Sequence, residues 1–144
     1  MISVLLANSK ELQEKAFFIR REVFVVEQRV STEDEFDEYE DISTHFVALD
    51  EANDPVGAAR WRKTDKGVKL ERFAVKSNQR GKGVGALLVE KVLENIRSEV
   101  GEGHYLYLHA QLPAVPLYEK FAFTKKGNQF LECDILHYLM FRYS

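Results

Sequence analysis

Arg80-Gly81-Lys82-Gly83-Val84-Gly85-Ala86 alternates glycine with two bases and then runs directly into a helical pattern. That combination at the mouth of a helix suits one kind of ligand. The first turn of a helix leaves its N–H groups without intrahelical partners and carries partial positive charge. Phosphate oxygens therefore sit there readily. Gly81, Gly83 and Gly85 have no side chain to obstruct the approach. Arg80 can grip a phosphate through two parallel N–H bonds, and Lys82 adds a point charge. A bland surface turn also uses glycine, but three alternating glycines with two flanking bases, between a strand and a helix, favour an anion site.

Which phosphate ligand is meant depends on spacing. The pattern G-x-x-x-x-G-K-[ST] of nucleoside triphosphate loops is absent. Gly81-x-Gly83-x-x-Ala86 satisfies the dinucleotide pattern, in which the first glycine closes a strand and an acid lies at the end of the next. Here Lys76 to Arg80 separate Val75 from Gly81, and the following strand ends in His109-Ala110 without a carboxylate. A dinucleotide fold is the weaker alternative.

The elements that must position this loop follow from periodicity. Residues 2–7 (ISVLLA) are a short apolar run that reads as an edge or first strand, not as a leader. Leu12, Ala16, Ile19 and Val23 recur at helical spacing, with Ser9 as the natural N-cap. Residues 44–50, 56–62 and 68–75 read as strands joined by the turns Asn53-Asp54-Pro55 and Thr64–Gly67. A second helix runs from about Val84 with Leu88, Val92, Ile96 and Val100 on one stripe. YLYLHA, ending at Ala110, is a buried strand, AVPLYEKF a short helix, and 122–132 with 134–142 a closing antiparallel pair. Strands 68–75 and 104–110 flank a helix and should lie parallel, while the others are hairpin-joined. The expectation is one α/β domain with a mixed sheet.

Bulk properties exclude several classes. A chain of 144 residues with 45% hydrophobic and 30% charged residues fits one globular domain. A net charge of -3 argues against general nucleic-acid binding, which needs a basic field. One cysteine, Cys133, offers no internal disulfide, and no apolar run approaches the roughly 20 residues that span a bilayer. No membrane partner is expected, and a cytoplasmic location is the default. His45, His104, His109 and His137 show no metal-ligand spacing, so no metal is expected.

Two spaced motifs carry a family resemblance. Arg80-x-x-Gly83-x-Gly85, four polar residues after a strand ending in Phe73-Ala74-Val75, resembles the pyrophosphate-binding signature of the GNAT superfamily of acetyl-CoA-dependent N-acetyltransferases. Downstream, Gln111-x-x-Ala114-x-x-x-Tyr118-x-x-x-Ala122-Phe123 is similar to the family's N-x-x-A-x-x-x-Y-x-x-x-G-F, with Gln for Asn and Ala for Gly. Ala122 stands where a left-handed backbone would favour glycine. VFVVEQRV at 23–30, Glu35-x-Asp37, Asp41, His45 and the tail from Gly127 through Glu132 and His137 to Met140 look like the YjcF-like and ElaA-like subgroup.

The resemblance implies a GNAT fold over residues 1–144, a mostly antiparallel mixed α+β sheet flanked by helices. It implies acetyl-CoA as co-substrate, its pyrophosphate held by the amides of Gly81, Lys82, Gly83, Val84, Gly85 and Ala86. An amide near Ala74-Val75 would polarise the thioester carbonyl, and Tyr118 would protonate the departing sulfur. Glu71 would act through water as base, the alternatives being that it is a solvated or Arg-paired acid or that neighbouring Arg72 is the functional side chain. Gln111 would hydrogen-bond in the cofactor groove. Holding an alkylamine of pKa about 10.4 neutral at pH 7 costs about 4.6 kcal/mol, which a placed base helps supply. Alternation alone puts Glu71, Phe73 and Val75 on one strand face. His45 and His137 are more often satisfied histidines than catalysts, and Cys133 a small strand hydrophobe. Residues 33–41 hold seven acids in nine positions. They read as a solvated loop or short helix, or else as an acidic wall drawing a cationic acceptor. The acceptor stays open among small amines, amino sugars, peptides and protein lysines, and the apolar closing strands could support a homodimer. A catalytically silent domain that binds coenzyme A as a sensor is the other reading.

Overall fold

Alternating strands need cover for their apolar faces, and two amphipathic helices supply it from opposite sides. The computed structural model describes residues 1–144. Its strands are β1 (Ser3–Leu6), β2 (Thr44–Leu49), β3 (Pro55–Lys63), β4 (Val68–Val75), β5 (Tyr105–Gln111), β6 (Thr124–Glu132) and β7 (Ile135–Tyr143). They form one sheet in the order β1-β2-β3-β4-β5-β7-β6. Only β4 and β5 run parallel, because the helix α3 (Val84–Val100) crosses between them. The mixed sheet and its single parallel pair agree with the sequence reading, and β1 is both the first strand and an edge.

Helix α1 (Lys10–Arg20) begins on Ser9, whose Oγ accepts the Leu12 N–H at 3.2 Å. It then widens into a π-helix, Arg21–Glu27, which the heptad-like spacing did not reveal. Short helices α2 (Thr32–Glu35) and α4 (Val115–Glu119) complete the set. Leu88, Val92 and Ile96 of α3 are fully buried against one face of the sheet, each worth roughly 1.5–3 kcal/mol of burial. Ala16, Ile19 and Val23 pack on the other face against Val47, Ala58 and Ala74.

One irregularity organises the centre. Ala58 pairs with Ala74 but Arg60 pairs with Glu71, so Ala59 alone faces both Arg72 and Phe73. This is a β-bulge, and its extra residue, Arg72, has a left-handed φ of 62°. The bulge reverses the alternation. Leu70 lies in the α3 core and Ala74 in the α1 core, although they are four residues apart. Glu71 therefore does not share a face with Phe73 and Val75 as period two suggested. It points with Arg60 to the α1 side, whereas Phe73 and Val75 pack on the α3 side. Pairing with β5 also stops here, at Leu70–Leu108.

The acidic segment is divided: Glu33, Asp34, Glu38 and Asp41 are exposed, as a solvated loop and short helix would have them, whereas Glu35, Asp37 and Glu40 are paired with arginines. Glu35 is buried and accepts from Arg20 Nε at 2.8 Å. Glu40 receives Arg20 Nη1 and Nη2 at 2.8 and 2.7 Å and Arg60 Nη1 at 2.8 Å. Asp37 receives Arg60 at 2.7 and 2.9 Å and Arg72 at 3.0 Å. Burial raises the Glu35 carboxyl, whereas the Arg60 guanidinium overcomes desolvation at Asp37 and brings it down to about 2. Glu35, Asp37 and Glu40, three of the charges that looked available to an acceptor, are already paired within the protein. Removing one member strands the others without solvent. Arg60→Ala is expected to cost about 3–5 kcal/mol, read as a lower denaturation midpoint in urea; a loss below about 1 kcal/mol, the range of exposed pairs, would contradict the buried network.

Candidate active site

Strands that part leave a cleft. Past Leu70–Leu108 neither β4 nor β5 has the other as partner, and a cleft of about 520 Å³ opens at the split. That is the size of a small-ligand site. Phe73, Leu108, Gln111, Ala114 and Tyr118 line it, together with Glu71, Arg72, His109 and the polar residues of α2. Thus Glu71, Phe73, Gln111 and Tyr118 are brought to one cavity, though from different faces.

The glycine-rich loop adjoins the end of β4. Gly81 and Gly83 have φ of 78° and 84°, conformations that L side chains rarely adopt. Nothing in the protein lies within 4 Å of where a Cβ would stand on either. Gly83 occupies the N-cap of α3 without any side-chain cap. The Gln79 N–H is bonded to Lys76 and the Leu87 N–H to Gly83, and no loop or cap bond takes an amide between them. Amides from Arg80 to Ala86 thus have no hydrogen-bond partner within the chain, at a helix N-terminus. Gly85 has a different reason to be glycine, since a Cβ there would meet Leu117 at 3.3 Å.

Arg80 departs from expectation. Its guanidinium is held by Glu27 at 2.6 and 2.7 Å, and Nε donates to the Val75 carbonyl at 3.0 Å. The two parallel bonds anticipated for a phosphate go to a carboxylate, and Arg80 staples the loop to the π-helix and to β4. Gln111 is similarly engaged, exchanging amide bonds with Gln28 at 2.9 and 3.3 Å. Glu27 and Gln28 were missed in the sequence because only the π-helix aims them at the loop and at β5.

Tyr118 lies on α4, held edge-on by Phe73 at 5.8 Å and Phe123 at 6.1 Å. Two bonds fix it. The Phe123 N–H reaches the Tyr118 carbonyl at 3.2 Å and the Ala122 N–H reaches Glu119 at 3.1 Å, a Schellman C-cap. Its left-handed residue is Ala122, φ 68°, so the geometry persists despite the missing glycine. The Tyr118 hydroxyl has no partner in the chain, and no buried side-chain nitrogen or oxygen is left unpartnered. It therefore opens on the cleft. Burial pushes the phenol above its usual range, keeping it protonated.

Glu71 accepts from Arg60 Nη2 at 3.0 Å and sits beside Arg62 and Lys69. Burial opposes its ionisation, but the Arg60 charge and its neighbours hold the carboxyl below the usual range. A carboxylate so paired is a weak proton acceptor. His45 is a satisfied core histidine, bonded to the Glu40 carbonyl at 2.8 Å and kept neutral by burial. Cys133 is an exposed turn residue on the cleft rim instead of a strand hydrophobe. No cluster of three or more His, Cys, Asp or Glu is placed to hold a metal, and no helix is long and apolar enough to cross a membrane.

Residues 8–142 match the family model for the acetyltransferase (GNAT) domain. The chain is 40% identical over 143 residues, 99% of both chains, to the uncharacterized N-acetyltransferase YjcF of Bacillus subtilis. The chain belongs to the GNAT acetyltransferase family. This GNAT chain also superposes on Escherichia coli ElaA with a TM-score of 0.87 and 26% identity, covering 99% of each chain. A Bacillus subtilis acetyltransferase solved in complex with CoA shares the fold at TM-score 0.69, 17% identity, and 99% and 97% coverage.

Two stability measurements check the site geometry. Tyr118→Phe is expected to change unfolding free energy by less than about 0.5 kcal/mol, because no internal bond is lost; a drop beyond about 1 kcal/mol would mean that the hydroxyl is bonded in the fold. Ala122→Gly is expected to stabilise the chain by about 1 kcal/mol, relieving the left-handed alanine, and a lower melting temperature would contradict that conformation.

Proposed function

We propose that this GNAT domain, spanning residues 1–144, transfers acetyl from acetyl-CoA to a primary amine by direct attack in a ternary complex. The observation carrying the proposal is the juxtaposition of two unpaired main-chain surfaces. One is the run of amides from Gly81 to Ala86, and the other is the edge of β4 past Leu70. A Cβ on Gly81 or Gly83 would project into the space a diphosphate needs. The acetyl thioester supplies an activated acyl group with a good leaving sulfur.

The chain's own residues do the rest. Loop amides, worth more in numbers than one guanidinium, hold the diphosphate. Lys82 adds charge at the same mouth, while Arg80 keeps the loop in place. The open edge of β4, from Phe73 to Val75, offers amides to a carbonyl on which negative charge develops. Tyr118 delivers its proton from the opposite wall. A raised phenol looks unpromising as an acid, but the same dry wall raises the basicity of a departing thiolate too. Gln111 orients the cleft wall through Gln28. Direct transfer fits better than an acyl-cysteine, since Cys133 is on the rim and burial with nearby acids pushes its thiol up.

Paired variants separate an enzyme from a silent coenzyme A sensor. Tyr118→Phe is expected to lower turnover about 10²–10⁴-fold, measured as thiol release from acetyl-CoA with a panel of primary amines, while calorimetry finds coenzyme A affinity unchanged. Gly83→Val should abolish that affinity. Full turnover in the first variant, or coenzyme A binding in the second, would overturn the assignment.

A further inference from the structure

Loss of Glu71 as a convincing base leaves the amine's proton without an acceptor. The opposite wall of the cleft supplies one. His109 is the first β5 residue past the last β4–β5 pair, Leu70–Leu108, so it stands where the strands part. Its Nδ1 lies 3.0 Å from Glu132 Oε1 on β6. The other Glu132 oxygen lies 3.7 Å from His137 Nε2 on β7, and His137 Nδ1 donates to the Ile135 carbonyl at 2.7 Å. Phe130 sits between the two rings, edge-on to His109 at 5.0 Å and stacked on His137 at 5.8 Å. The cluster is thus assembled by three strands and clamped by an aromatic.

We infer that His109, oriented by Glu132, takes the proton from the acceptor amine. The inference rests on the transferase reading above. A carboxylate on Nδ1 fixes the tautomer with its proton there and leaves Nε2 as the acceptor. Glu132 meets the requirement, since its bond from His109 holds the carboxyl below the usual range. Nε2 has no partner in the chain, and His109 lines the cleft. Nothing comparable is free on Glu71. His109, Glu132 and His137 do not form a metal site.

The step balances. An ammonium N–H breaks and its proton goes to His109 Nε2. The freed nitrogen lone pair forms the amide C–N bond as the C–S bond breaks. The sulfur leaves with that electron pair and takes the proton of the Tyr118 hydroxyl. The nitrogen still carries one surplus proton once the C–N bond has formed, and it passes this to water as the neutral amide is made. The imidazolium then gives up its proton to water and the phenolate regains one, so each turnover releases one proton. Charged and titratable groups that share the chamber with His109 are Glu132 and His137 from β6 and β7 with Cys133 in the turn between them, Lys69, Glu71 and Arg72 from β4, and Arg62 from β3; Asp34 and Glu35 come from α2, Asp37 and Tyr39 follow it, Tyr118 comes from α4, and Tyr107 adjoins on its own strand.

The test compares acceptors that do and do not need a base. Primary alkylamines are protonated at pH 7, whereas hydroxylamine is already neutral. His109→Gln is expected to lower kcat/KM for the alkylamines about 100-fold at pH 7, the loss shrinking as pH rises toward the amine's own pKa of about 10.4, where the free base needs no acceptor. Hydroxylamine-dependent thiol release should stay within about threefold. Glu132→Gln, which keeps the shape, should produce the same acceptor-dependent loss in weaker form. In nitrogen NMR spectra of the free protein, His109 should show the Nδ1–H tautomer in wild type and lose that preference in Glu132→Gln. Equal losses with both acceptors in His109→Gln, or an unchanged alkylamine rate, would overturn the inference while leaving the transferase reading intact. No thiol release by the wild-type protein with any amine would instead overturn that reading and this inference with it.

Discussion

A single interruption in hydrogen bonding, the parting of β4 from β5 after Leu70–Leu108, gives this chain its site. Two parallel strands in mid-sheet would normally share a full ladder, and breaking it exposes polar backbone that must be answered elsewhere. Here the bulge at Arg72 turns β4 away and flips the faces of every residue beyond it. The flip sends Phe73 toward Tyr118 and leaves Glu71 with Arg60. The opposite surfaces of the split acquire different chemistry for that reason. Phenol and glycine loop lie on the α3 side, and ionisable groups on the α1 side.

A non-glycine residue in left-handed backbone is strained by about 1–3 kcal/mol and needs support. The buried ion network is that support. Arg72 is tied to Asp37 and to the carbonyls of Asp34 and Glu35. Those residues are fixed in turn by Arg20 and Arg60, both without solvent exposure. Charges that would stabilise little on the surface are here spent on geometry, holding an acidic segment over the bulge.

Legibility from sequence followed the range of the interaction. Ser9 as a cap, the α3 stripe and the seven strands are local patterns, and they were readable. So was the glycine loop, whose residues act through their own backbone. Features made by distant pairing were not. The period-two rule put Glu71 and Phe73 together because nothing in VKLERFAV announces a bulge. Arg80 was read as a phosphate ligand because Glu27 is 53 residues away. Glu35, Asp37 and Glu40 looked solvated because Arg20 and Arg60, which pair with them, are contributed by other elements. His109 was passed over for the same reason, since its partner Glu132 arrives only when β6 and β7 fold back through the turn at Cys133-Asp134. Ala122 shows the converse: its left-handed backbone survives because the Schellman bonds and the Phe123–Tyr118 contact outweigh a Cβ.

The central claim is that backbone amides at the start of α3 clasp a diphosphate and thereby lay a thioester along the free edge of β4. A crystal structure with bound coenzyme A tests it most directly. The account predicts diphosphate oxygens within hydrogen-bond distance of the Gly81–Ala86 amides and the sulfur beside the Tyr118 hydroxyl. A diphosphate bound elsewhere, or a sulfur on the far side of β4 from Tyr118, would contradict it.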